Sequence, residues 1–183
     1  MPTFGYTSYV DDDNILLINQ IAGSPATPES EGTAQSITAC MLGWSAGEEV
    51  KCALYDSDRN LVAETEELTT GGNGWKTFNF DSPPSITISE YTIVAFGDDM
   101  TSIEMDTSAG SEHYLRLETS TYPTFEDPIS SWDTNASNVR VSIYCTYEEG
   151  GAGGDTNQFG FQGTGTLRMG GDDMSGRLTI KGN

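Results

Sequence analysis

Alternation with a period of two, cut at short intervals by turn residues, is the feature that most limits what this chain can fold into. In "VKCALYD" the apolar side chains of Val50, Cys52 and Leu54 fall on one face, and "VRVSIYC" repeats the pattern through Val139, Val141, Ile143 and Cys145. Successive side chains of an extended strand point to opposite sides, so this spacing predicts half-buried β-strands. Similar runs recur in "NILLINQIAG", "GTAQSITACMLGW", "LVAETEEL", "GWKTFNF", "SEYTIVAFG", "SIEMDTS" and "SEHYLRLETS", and the segment "SPATPESE" between the first two reads as a loop. No segment sustains a 3.6-residue period with caps, so little helix is expected. About eight to ten strand candidates with glycine-rich punctuation predict an all-β chain, an antiparallel β-sandwich of jelly-roll type.

The turns have a readable mechanism. In "DSDRN", Asp56, Ser57, Asp58 and Asn60 favour a turn through side-chain bonds to the backbone, and Leu61 and Val62 resume a strand, so residues 50–68 read as a hairpin. Asp56 and Asp58 superficially resemble a calcium loop, but the glycine and distal glutamate of an EF-hand are missing.

Composition changes at Gly150. "EGGAGGDTNQ" is a glycine-rich linker, and "TGTLRM" and "SGRLTIKG" beyond it look like two short strands. The reading is therefore a β-sandwich over residues 1–149 and a C-terminal β-hairpin arm over 150–183. The arm has too little apolar material to be stable alone. Its Leu167, Arg168, Arg177, Leu178, Ile180 and Lys181 are expected to pair with a partner surface, on the same chain or on a neighbouring subunit.

The cadence from Val50 to Asp99, with "VKCALYDSDRNLVAETEEL", "GWKTFNF" and "PPSITISEYTIVAFGDD", resembles a jelly-roll module that recurs in structural proteins of phages and archaeal viruses and in microbial surface proteins. "FGYTS", "GTAQSIT" and "SIYCTY" extend the resemblance over residues 3–147. It implies a structural role on a virion or extracellular surface, with Trp75 and Phe78 packed in the core or between sheets. The resemblance does not reach the arm.

Charge narrows the partners. Twenty-eight acidic residues face eight basic ones, three of them lysine, for a net charge of −20. Such a surface repels nucleic acid and anionic membranes. It favours solubility and fits a salty, halophilic setting, where ions screen the self-repulsion. No apolar run approaches the ~20 residues of a membrane span. The start "MPTFGYTSYVDDDN" has no basic and apolar leader pattern, so Sec export is not expected.

The search for chemistry yields little. His113 is the only histidine and lies in an alternating strand, with no G-x-S-x-G elbow in the chain. Cys40, Cys52 and Cys145 match no zinc spacing, and alternation places Cys52 and Cys145 on the core side as free thiols. Glu104 and Asp106 share one face of "SIEMDTS", the nearest approach to a glycosidase pair. The chain is read as no enzyme. Calcium is the one cofactor considered, at the acidic turn of Asp98 and Asp99, which would need further oxygen ligands from other segments. Tyr122, Phe125 and Trp132 in "STYPTFEDPISSWDTN" are candidates for stacking on a glycan, or for plugging an end of the sandwich. The sequon at Asn135 carries little without an export signal. Three readings result, in this order: a self-assembling structural subunit, which would bind itself or other subunits through the arm; a carbohydrate-binding module of an adhesin; and, last, a glycoside hydrolase.

Overall fold

The computed structural model describes residues 1–9, 13–99, 101–107, 113–117 and 121–150. Among these there is no helix. Fourteen strands follow in order: β1 (Thr3–Gly5), β2 (Asp13–Leu16), β3 (Ile21–Ala26), β4 (Gly32–Leu42), β5 (Val50–Asp56), β6 (Leu61–Glu64), β7 (Gly74–Asn79), β8 (Ser85–Ile86), β9 (Tyr91–Gly97), β10 (Ser102–Asp106), β11 (His113–Leu117), β12 (Thr134–Ser137), β13 (Arg140–Val141) and β14 (Ile143–Glu149). They form two antiparallel sheets packed as a β-sandwich. The first runs β1-β14-β4-β10-β13, with β2 added to β10 and with β7 and β8 on β4; the second runs β12-β11-β3-β9-β5-β6.

Alternation sets the inner layer. Ile37, Ala39 and Met41 of β4, Phe78 of β7, and Ile143, Cys145 and Tyr147 of β14 pack against Ala22, Cys52, Leu54, Ile93 and Ala95 of the second sheet. Trp44, just past β4, stacks on Phe78 with ring centres 6.1 Å apart and planes 11° from parallel. Its indole N–H is satisfied by the Glu48 carbonyl at 2.8 Å. A polar tip with a partner lets an aromatic body sit in the core without a desolvation penalty.

The hairpin over residues 50–68 forms as its turn residues require. Asp56 Oδ1 accepts from the backbone N–H of Asp58 and of Asn60, both at 2.9 Å, and Arg59 takes the left-handed conformation at φ 69°. Burial opposes ionisation of Asp56, but these hydrogen bonds outweigh it and hold its carboxyl below the ordinary value.

Strand boundaries differ from expectation in several places, among them "VRVSIYC", which breaks at Ser142 into β13 on β10 and β14 on β4. "NILLINQIAG" is not one strand: the chain turns at Asn19, φ 51°, so β2 lies in the first sheet and β3 in the second. β3 then continues through Ser24, Pro25 and Ala26, residues expected in a loop. It pairs with β9 along its whole length, but with β11 only over Ile21–Gly23. Pro25 thus falls past the last β11 partner, where among the described residues one side of the strand has no ladder to complete. Gly23 is needed for close approach, since a Cβ there would lie 1.9 Å from the Ile93 carbonyl oxygen.

The chain divides into two compact units, Met1–Gly153 and Gly154–Asn183. In the first, β14 ends at Glu149 and the Gly150 N–H donates to the Glu31 carbonyl at 2.9 Å. The arm residues Leu167, Arg168, Arg177, Leu178, Ile180 and Lys181 lie outside the described residues.

Candidate functional site

Neither face of the second sheet is left to solvent at its centre. Tyr55 and Ala53 of β5 and Val94 and Phe96 of β9 point away from the inner layer, yet all four are buried. The segment 121–133 covers them. It is fastened by backbone and side-chain bonds: Ile129 N–H to the Arg59 carbonyl at 3.1 Å, Leu61 N–H to Asp127 Oδ1 at 3.0 Å, and the Tyr55 hydroxyl to the Glu126 carbonyl at 2.8 Å.

Tyr122, Phe125 and Trp132 belong to this cover. The structure brings them into one cluster, but through edge-to-face packing with the sheet. Phe96 meets Tyr122 at 5.1 Å and Phe125 at 5.5 Å between ring centres, and Tyr55 meets Trp132 at 6.2 Å. Phe125 is only 6% exposed and offers no face to a sugar ring. Tyr122 is half-buried, and its hydroxyl donates to Glu67 Oε2 at 2.7 Å. Burial, reinforced by Glu67, pushes its pKa well up.

Glu104 and Asp106 share the outer face of the first sheet, as their spacing requires, and both are buried. The Ser142 hydroxyl lies against Glu104 Oε2 and, at 3.1 Å, the Ser8 carbonyl. Asp106 Oδ2 accepts from the Tyr6 hydroxyl at 2.7 Å and sits 3.7 Å from Arg140 Nη2. The Arg140 guanidinium in turn stacks 3.5 Å from the centre of the Tyr6 ring. Burial and the Asp106 hydrogen bond raise the Tyr6 pKa, against the pull of Arg140. A cavity of about 260 Å³ opens beside Tyr6 and Arg140, rimmed by Ser24 to Thr27. The chemistry of this arrangement is attachment: two carboxylates and a hydroxyl hold the residue 6–8 segment on the sheet. A hydrolytic pair would need both carboxylates open to one substrate.

The other candidates are placed as follows. Asp98 Oδ1 accepts from the Glu49 N–H at 2.7 Å and its own N–H returns to the Glu49 carbonyl, which closes the end of β5 and β9. Asp99 is exposed beside it. Among the described residues, no three His, Cys, Asp or Glu side chains come together in a metal-holding group. Cys40, Cys52 and Cys145 are buried free thiols. Burial pushes the Cys40 thiol up to about 11, with Glu104 adding to it, and the Cys145 thiol up to about 12. His113 lies on β11, opposite Ser137 of β12.

Trp75, expected in the core with Phe78, is on the outer face of the first sheet and 37% exposed. The two are three apart on one strand, so period-two geometry forbids them the same side. Trp75 pairs across to Cys40 of β4 and leans on Tyr144 of β14, 5.5 Å between ring centres. Beside it is an open depression of about 360 Å³ lined by Tyr9, Cys40, Leu42, Asn73, Gly74 and Trp75. Comparison with family models, curated proteins and solved structures finds no match to this chain.

Proposed function

We propose that the chain is a non-enzymatic structural subunit, a β-sandwich that presents its surface in a virion or extracellular assembly and joins its neighbours through the arm 150–183. The observation that supports this reading is the closed packing of the described sandwich. Among the described residues its buried core is drawn from Phe4 to Tyr147, and each buried carboxylate has a partner within that span. The arm would then be the means by which one subunit joins another. Sandwich edges accept an added strand through their unpaired backbone groups; among the described residues β7 has a strand partner on its β4 side, and its far edge is capped by Glu66 at the Asn79 end, where the Glu66 N–H donates to the Asn79 carbonyl at 2.8 Å. A linker of ~10 residues reaches up to about 35 Å when extended. Three of the chain's eight basic residues, Arg168, Arg177 and Lys181, fall in the arm and would meet an acidic neighbour favourably.

Native mass spectrometry and electron microscopy of the full chain, beside a chain lacking residues 155–183, test the reading. The full chain should form concentration-dependent oligomers. The truncated chain should be a folded monomer with a nearly unchanged melting curve. Oligomers that survive the deletion, or a sandwich that collapses without the arm, would refute it.

A further inference from the structure

We propose that the outer face of the first sheet carries a binding platform for a neutral saccharide, centred on Trp75. Five large apolar side chains are exposed among the described residues: Met1, Tyr9, Leu16, Trp75 and Ile88. Three of them collect on this face. Register places them together: Trp75 pairs with Cys40, and Leu42 and Leu16 both pair with Ser102, so these side chains share one side of the sheet. Tyr9 and Trp75 wall the depression together, and Leu16 lies on the same face without lining it. Scattered exposed apolar residues need no explanation, whereas a cluster around a concavity marks a binding surface.

The chemistry of the lining selects the ligand. Trp75 is held by its tilted contact with Tyr144 and keeps part of its indole open, a pre-oriented surface for the C–H face of a pyranose ring. Asn73 Oδ1 accepts from the Gly43 N–H at 2.8 Å, which fixes the carboxamide. Among the described residues no acceptor takes its Nδ2, so these hydrogens can donate to a sugar hydroxyl. Gly74, at φ 96°, holds the turn beside the indole, and the space over its Cα is open. The lining contains no lysine or arginine, and the chain carries −20, so anionic ligands and a second acidic sandwich are repelled. A flat, uncharged ligand with an apolar face and hydroxyl edges fits all of these terms. The volume, about 360 Å³, is at the small end of ligand sites and matches one or two sugar rings rather than a long apolar ligand.

The test uses the full chain on an array of neutral gluco-, galacto-, manno- and xylo-oligosaccharides, with sulfated oligosaccharides as the anionic arm, followed by calorimetric titration of the strongest neutral probe. Neutral probes should bind and sulfated ones should not. Trp75→Ala should weaken binding at least about tenfold, the size expected when an aromatic platform is removed. Trp75→Phe should retain part of the affinity, and Trp132→Ala all of it. Tyr9→Ala and Asn73→Ala, at more exposed positions, extend the test should Trp75→Ala fail to fold, and each should weaken binding. The proposal is overturned by an array without neutral binding, by affinity unchanged in Trp75→Ala or in both other variants, or by binding lost in Trp132→Ala. It is also overturned if Trp75→Ala changes only the native mass, which would make this face a contact between copies. The arm deletion should leave saccharide binding intact, so this proposal and the assembly reading fail separately.

Discussion

Phe78→Ala and Trp75→Ala, made on the same strand, measure the two faces of β7. Phe78 is fully buried and stacked on Trp44. Truncation to Ala removes the transfer free energy of the ring and leaves a cavity, about 3–5 kcal/mol for a buried aromatic. The lost stack adds to this by ~0.5–1.5 kcal/mol, so the upper part of the range is expected. For a chain of this size each kcal/mol lowers Tm by roughly 2–4 °C, so at about 4–5 kcal/mol Phe78→Ala should melt about 8–20 °C lower. Trp75 already spends part of its surface in water, and its truncation loses chiefly the contact with Tyr144, about 1–2 kcal/mol. Urea denaturation at fixed ionic strength, followed by far-ultraviolet circular dichroism, gives both values provided the slope with denaturant is unchanged. Equal costs for the two variants, or a Phe78→Ala cost of a few tenths of a kcal/mol, would show that the assigned strand phase is wrong.

Native Cys52 and Cys145 should resist a maleimide probe and react only on unfolding; fast native labelling of either would contradict their burial. Because the folded thiols of Cys40 and Cys145 are raised above their ordinary 9.0, to about 11 and about 12, they stay neutral while the unfolded thiols ionise. Their contribution to stability is therefore complete below pH 9 and lost as pH rises from there toward 11–12, which denaturation midpoints across pH 8–11 should display as a decline. Tm should rise between low and molar NaCl as screening relieves the self-repulsion of a −20 chain, and a flat response would refute that reading. A saturable gain at millimolar calcium, unmatched by magnesium, is the outcome expected if Asp98 and Asp99 complete a calcium site.

Local rules, legible in the sequence, determined the strands and the phase of the inner layer. Period-two alternation placed Cys52, Leu54, Ile143 and Cys145 inward, and the Asp56 turn closed its hairpin, because each rests on neighbours a few residues apart. The same rule, applied to the odd spacing of Trp75 and Phe78, puts one of them outside. It cannot say which one: that depends on Trp44, thirty-four residues before Phe78, closing over the inner ring. The unbroken apolar run of Ile93 to Phe96 implies burial on both faces, but periodicity does not name the cover, and only the folded chain shows residues 121–133 lying over it. The split of "NILLINQIAG" between two sheets is likewise tertiary, since both halves have strand character and the choice of partner was made by β10 and β9. Asp106 meets Tyr6 across one hundred residues. Side-chain direction along a strand is set by backbone stereochemistry and is local; which distant segment covers a face is set by where burial and hydrogen bonding can be satisfied together, and that is a property of the assembled sheets.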